Sequence, residues 1–519
     1  MTAAALLSAR TLAADPLWRI AIGVVAGLTV LRIAAIVADP NALYADETQY
    51  WIWSRELAWG YFSKPPMIAW IIAATTGVFG NADWAVRLAA PLLHAGTALC
   101  LGLAARRMVS AQAGAWAAIV WITLPSVWLS ASVITTDGPL LFFWSAGLYA
   151  LARLRDGAGA VTAAALGLAA GLGFLSKYAM IYFALGIALA VLIDAPSRRA
   201  LLGPKGLLAA AIAVALLAPN LVWNAQNGFA TVSHTAANAN WGGSLFNAGE
   251  LATFLIDQLG VFGPALFPAL IAAIIAAVRN PGGAARPRLM LVGFIAPALV
   301  IVAFQAFISR AHANWAASAY AGGTILVTVL LLEGPRWRRW VLKGSIAAHS
   351  IAGMMLLLLA ASPPLAEAAG LSNAFKRVRA WDETMERLAR AAQRAEMRAG
   401  VTALVFDNRN DFHQAQRYGE AIDLPLYMWV RFAGPSNHAE AGWALPDGYD
   451  APVLVVSERP GEVALIEGDF AHFTRFGEIV IDHGGNRPRR YQLFIAQGHE
   501  RETRDAAYEA AVADARERD

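Results

Sequence analysis

Runs of about twenty apolar residues, the length that crosses a bilayer, recur along the first 360 positions and then stop. They lie near 18–37, 84–105, 112–133, 138–153, 158–175, 178–194, 205–223, 252–278, 288–309, 312–332 and 340–360, which predicts about eleven membrane-spanning helices. The stretch 66–81 (PMIAWIIAATTGVFG) is also apolar, but counting it as a crossing would reverse every later loop. Read instead as an interfacial helix, it leaves Arg106/Arg107, Arg153/Arg155, Arg198/Arg199, the loop 279–288 and the RWRRW cluster at 336–340 on the cytoplasmic side, as the positive-inside rule requires. The first apolar run has no small-residue cleavage site behind it, so it is expected to remain as the first span.

After position 360 the pattern changes. An amphipathic stretch at 375–399 is followed by β-like runs, VTALVFD, APVLVVS, FGEIVI and RYQLFIA, separated by turn residues. The expected organisation is therefore a mainly α, multi-span membrane domain over 1–360, with a first outer loop at 38–83, and a small extracytoplasmic α/β domain over 361–519. The last residues, RETRDAAYEAAVADARERD, read as a charged terminal helix.

Composition agrees with a membrane chain: 58% of residues are hydrophobic and only 15% charged, where a soluble domain carries roughly 25% charge. One cysteine, Cys100, excludes an internal disulfide and a cysteine metal site. The net charge of +4 sits in short clusters between apolar runs, which reads as topology and not as a nucleic-acid surface.

The same topology gathers the polar residues that hydropathy does not explain onto one side. Asp46, Glu47, Lys64, Asp137, Lys177, His234, Asp257, Arg310, His312 and Asn314 all fall at the outer rim. Charge at membrane depth is costly and faces a cavity or a partner, so this collection predicts one outward polar site. A transporter would place such groups near the midplane of repeated halves, and no internal repeat is visible. A lipid or glycolipid transporter remains the alternative from another class.

The densest cluster is YADETQYWIWSRELAWGYFSKPP at 44–66. Its bland reading is an aromatic belt with snorkelling charges. Its chemical reading is a carboxylate, Asp46, able to take a hydroxyl proton, with Lys64 or Arg310 able to hold a departing phosphate. Glu47 stands beside the base, and Trp51, Trp53, Trp59 and Tyr61 would line a lipid and sugar groove. Asp137, in TTDGP, could cap a helix or belong to the site. Lys177, with Tyr178 next to it, could snorkel or bind phosphate; His312 and Asn314 could meet phosphate or sugar hydroxyls. His94, within a span, reads as an interhelical hydrogen-bond partner. No ligand spacing supports a metal, and no cofactor is expected.

The run DETQYWIWSRELAWGYFSKPPMIAW, with TTDGPLLFFW at 135–144, GLGFLSKYAMIYF at 171–183, PNLVWNAQNGF at 219–229 and HANWAASAY at 312–320, resembles the bacterial branch of the dolichyl-phosphate-mannose protein mannosyltransferase family, glycosyltransferase family 39. More distantly it is similar to the lipid A aminoarabinose transferases. The resemblance implies a glycosyltransferase C fold and a polyprenyl-phosphate sugar donor. It also implies a lipid, glycan or protein acceptor at the periplasmic face of a bacterial inner membrane. By it, Asp46 is the catalytic base and Lys64 contacts the donor phosphate. The lipid A transferases carry a glutamate before that lysine where this chain has Ser63, which points to a different sugar or acceptor.

Overall fold

A computed structural model describes residues 15–237, 245–281 and 286–518, so parts of the loops expected at 224–250 and 279–288 lie outside the described residues. The chain divides into two compact units, one formed by 1–39 and 57–361, the other by 40–56 and 362–519.

The first unit is a helical bundle. Among the described residues, five helices are long and apolar enough to cross a membrane: Pro16–Ala38, Asp83–Met108, Pro204–Gln226, Pro287–Ile308 and Arg336–Ala361. Two bent pairs raise this to seven, Tyr178–Ile193 with Ala195–Leu201 (114°) and Ala248–Phe262 with Leu266–Arg279 (102°). Three further apolar helices where the sequence expects spans, Ala111–Ile122, Ala160–Ser176 and Ala319–Leu332, are shorter than 18 residues. The apolar run 252–278 breaks at Gly263, whose φ of 109° suits only glycine. The run 112–133 splits into Ala111–Ile122 and Pro125–Ser130 where Pro125 cannot continue the first helix. The stretch 66–81 forms the helix Met67–Phe79, 13 residues and too short to span.

Helices in lipid gain little hydrophobic energy by packing together, so small residues and polar pairs must hold them. A Cβ on Gly167 would stand 2.5 Å from the Ala209 carbonyl, which shows how closely Ala160–Ser176 and Pro204–Gln226 approach. Polar pairs do the rest. His94 Nε2 and Ser130 Oγ are 2.9 Å apart. Arg155 grips Asp194 through two bonds of 2.8 and 3.0 Å. The buried Arg32 donates to the Ile122 carbonyl and stacks over Trp128. Outward, only 11% of the most apolar part of Pro204–Gln226 is buried within the protein, and Leu207 and Val214 are largely exposed. Such a face belongs in hydrocarbon, and the chain is a polytopic membrane protein.

The second unit is a five-stranded mixed sheet with helices against it. Its strands are β1 (Ala403–Phe406), β2 (Leu426–Met428), β3 (Val453–Ser457), β4 (Phe470–Ile481) and β5 (Arg489–His499), in the order β2-β1-β3-β5-β4. β1 runs parallel to β2 and β3, while β5 is antiparallel to β3 and β4. The predicted runs map onto β1, β3, β4 and β5; three-residue β2 carries too short a signal to read. Alternate residues of the central strands face opposite layers. Leu404, Phe406, Leu454 and Val456 meet Trp381, Met385, Leu388, Ala392 and Ala395, the apolar stripe of the helix Trp381–Ala399, at i, i+4, i+7 spacing. Ala403, Val405, Val453 and Val455 pack on the other face with Trp429, Leu445 and Ile466. Residues 40–56, expected as part of the membrane domain's outer loop, belong to this unit.

Candidate active site

The segment that carries Asp46 and Glu47 folds as the helix Ala45–Arg55. Glu47 is buried, and its Oε2 accepts from the Tyr44 amide at 2.9 Å, closing a capping box at the helix start. That geometry is a cap turned onto its own backbone. Asp46, one residue earlier, points the other way: its side chain is 65% exposed and lies 3.5 Å from Arg409 Nη2. Asp46 lies in the first turn of the helix, where the helix dipole favours an acidic side chain.

What positions this helix is the second unit. The Leu43 amide donates to Tyr418 Oη at 2.8 Å, and the Leu43 carbonyl accepts from Gln414 Nε2 at 2.7 Å. The Thr48 hydroxyl donates to Gln414 Oε1 at 3.2 Å. Arg417 lies 4.2 Å over the ring of Trp51. Trp53 is fully buried, edge-on to His438, so the expectation that it lines a groove is corrected. Gln414, Tyr418 and Arg409, all on the helix Arg409–Tyr418, were not singled out from sequence; nothing local marks them, because their partners are more than 350 positions away.

Below Asp46 lie buried acids. Burial pushes the carboxyls of Asp411 and Glu458 up, and for Asp411 the neighbouring Glu458 charge adds to the effect. Asp407, also buried, is pushed up to about 7 by burial, against hydrogen bonds from Ser457 and the Glu458 amide that favour its charge.

The remaining candidates lie in the first unit. The loop 57–66 is laced by its own groups: the Ala58 amide donates to Tyr61 Oη, the Trp70 indole to the Ala58 carbonyl, and the Tyr61 amide to the Lys64 carbonyl. Tyr61 is thereby buried as scaffold, while Trp59 stays 49% exposed. Asn220 donates to the Trp59 carbonyl at 2.6 Å and Thr231 to the Tyr61 carbonyl at 2.7 Å, anchoring the loop to the bundle. Tyr178 donates to Asn220 Oδ1 at 2.8 Å and accepts from Asn224 at 3.0 Å. Asn220 and Asn224 are further residues sequence reasoning missed; two asparagines four apart in an otherwise apolar helix were the available signal.

Asp137, Lys177 and Asn314 come together. Lys177 Nζ donates to Asp137 Oδ1 at 2.7 Å, and Asn314 Nδ2 to Asp137 Oδ2 at 2.9 Å. The capping alternative for Asp137 is not what the geometry shows: it is the first helical residue, and its carboxylate makes no cap bond. Arg310 and His312 are both exposed, with His312 edge-on to Trp315 at 5.3 Å. The side chain of His234 lies outside the described residues. Among the described residues no group of three or more His, Cys, Asp or Glu is placed to hold a metal ion.

A solvent-open carboxylate on a fixed helix can accept a proton from a hydroxyl. A lysine held by a carboxylate, itself fixed by an amide, can present positive charge to an anion. Comparison with known proteins gives this chemistry a context. The family described as Dolichyl-phosphate-mannose-protein mannosyltransferase matches residues 63–223. The chain is 33% identical over 461 residues to the lipid A galacturonosyltransferase RgtD of Rhizobium johnstonii, covering 88% of this chain and 93% of that protein. It is 31% identical over 233 residues to the lipopolysaccharide core galacturonosyltransferase RgtA of the same organism, 44% of this chain and 47% of that protein. ArnT from Cupriavidus metallidurans, solved bound to undecaprenyl phosphate, shares the fold with a TM-score of 0.63 at 18% identity, over 91% of this chain and 97% of that one.

Proposed function

We infer from one premise, that this chain belongs to the glycosyltransferase C group of membrane glycosyltransferases alongside the lipid A galacturonosyltransferase, that it moves one sugar from a polyprenyl phosphate to a hydroxyl of a lipid A-type glycolipid. The observation that carries this reading is the full-length relative, whose similarity spans the membrane domain and the C-terminal unit together. The transporter alternative gives way to that kinship.

In the proposed reaction Asp46 accepts the proton of the acceptor hydroxyl. The hydroxyl oxygen bonds to the anomeric carbon as the bond from that carbon to the phosphate oxygen breaks, with inversion, and polyprenyl phosphate departs. A phosphate leaves without protonation, so cations serve it best; Lys64 and Arg310 hold that charge. Lys177, held by Asp137, whose other carboxylate oxygen accepts from Asn314, adds to it. Ser63 in place of an acidic residue favours a donor sugar without an amino group, and the relatives make a uronosyl donor the first to try. We place the reaction at the periplasmic face of the inner membrane, with 362–519 outside. The arginine clusters at 106–107 and 198–199 on the opposite side support that orientation.

The test is transfer by the full-length protein in nanodiscs, supplied with undecaprenyl-phosphate-linked galacturonic acid and lipid A, with products read by mass spectrometry. Asp46→Asn should lower the rate by about 100-fold or more, the usual worth of a general base. A variant that folds and keeps its rate would remove Asp46 from the mechanism.

A further inference from the structure

The second unit holds a cavity of about 500 Å³ whose wall includes Asp46. Three chain segments bring cations to it. Lys376 and Arg377 come from the entry to the helix Trp381–Ala399, Arg409 from the start of its own helix, Arg487 from the turn between β4 and β5, and Arg489 from the first position of β5.

Two of these five cations are already used. Arg489 is buried, lies 3.9 Å over Trp381, and donates to Thr384 Oγ1 and the Lys376 carbonyl at 3.0 and 3.2 Å. Arg409 faces Asp46 and Gln49. The side chains of Lys376, Arg377 and Arg487 are exposed and have no acidic partner among the described residues. By contrast, on the same sheet Arg490 holds Glu478 at 2.9 Å, and in the following loop Arg501 holds Asp447 through two bonds of 2.7 Å. A solvated basic face would pair its charges as those do. The acids on the cavity floor, Asp411 and Glu458, oppose an anion weakly, since burial favours their neutral forms.

We propose that Lys376, Arg377 and Arg487 form the subsite for an anionic group, phosphate or carboxylate, on the head of the acceptor glycolipid, seated so that a neighbouring hydroxyl meets Asp46. The inference rests on the transfer reading above. Guanidinium forks match such anions bidentately, and a lysine adds a mobile point charge. The volume suits a sugar bearing one such group.

The experiment measures binding without turnover. Full-length protein in phosphatidylcholine nanodiscs is titrated with bisphosphorylated lipid A, with the same lipid dephosphorylated, and with undecaprenyl phosphate. Wild type should prefer the phosphorylated lipid A by about tenfold, the order of one charge-assisted contact. That preference should shrink between about 50 and 300 mM salt. The variant Lys376→Gln/Arg377→Gln/Arg487→Gln, unchanged in thermal unfolding, should lose it while binding undecaprenyl phosphate as before. The proposal is overturned if wild type makes no distinction, if the variant retains it, or if the variant loses undecaprenyl phosphate instead, which assigns the cations to the donor. Transfer separates this from the parent reading. A variant that recovers its rate at saturating acceptor has lost only binding, whereas wild type that binds but never transfers sinks the transfer reading alone.

Discussion

Gln414 joins the helix Ala45–Arg55 to the sheet unit, and Gln414→Leu tests how strongly. The side chain is fully buried, donates to the Leu43 carbonyl at 2.7 Å and accepts from Thr48 at 3.2 Å. Leucine keeps the bulk but leaves the carbonyl without that donor, while the Thr48 hydroxyl retains its second bond to the Tyr44 carbonyl. The loss is therefore about one orphaned buried acceptor, about 2 kcal/mol within a range of about 1–3. If that energy holds the helix in place, its detached state becomes about thirtyfold more populated. Hydrogen exchange reads this directly: the amides of 45–55 should exchange faster by that factor, while β1 and β3 keep their protection. Unchanged exchange across 45–55 would refute the idea that this glutamine fixes the helix bearing Asp46.

Lys177→Met removes the cation from Asp137 and should raise the KM for the polyprenyl donor by about tenfold with Lys177→Arg recovering part of it; an unaltered KM would leave Lys177 as a bundle strut. Asp407 binds its proton more tightly folded than unfolded, since burial sets it at about 7. Its favourable contribution is thus complete below the ordinary carboxylate range and lost as pH rises through about 7, a change of up to about 4 kcal/mol. Melting curves from about pH 5 to 8 should fall for wild type and stay flatter for Asp407→Asn. Gly167→Ala forces a methyl against the Ala209 carbonyl and should cost about 1–3 kcal/mol, seen as a lower melting temperature in detergent; no change would mean the two helices part freely there.

Hydropathy located the bundle well because each apolar run had to satisfy its backbone internally. It could not foresee that Gly263 and Pro125 would break two of those runs, since the average over twenty residues hides a single strained position. The strands around Leu404 and Leu454 were legible as short continuous apolar runs between turn residues, as befits strands buried on both faces, but β2, only three residues long, was not. In the site, Asp137 and Lys177 were visible as charges out of place, and the structure pairs them. Glu47 was read as a neighbour of the base Asp46, with a place in the site. A rotation of about 100° between successive helical residues sends one inward as a cap and the other outward. The assignment of 40–56 to the C-terminal unit was illegible because it rests on Tyr418 and Gln414, and a lone sequence carries no signal linking positions so distant.

That long separation has a consequence for how the protein is made. Leu43 leaves the ribosome 375 residues before Tyr418, its hydrogen-bond partner. At ~5–20 residues per second the gap lasts roughly 20 to 75 s. Throughout that time the segment bearing the proposed base has nothing to dock on, however much of the bundle has already been inserted. A polypeptide that terminates after Ala361 could anchor in the bilayer yet leave Asp46 on an unsupported segment. Competence for transfer would then arrive only with the last strands of synthesis, so that an incomplete chain is chemically silent while its membrane half is already in place.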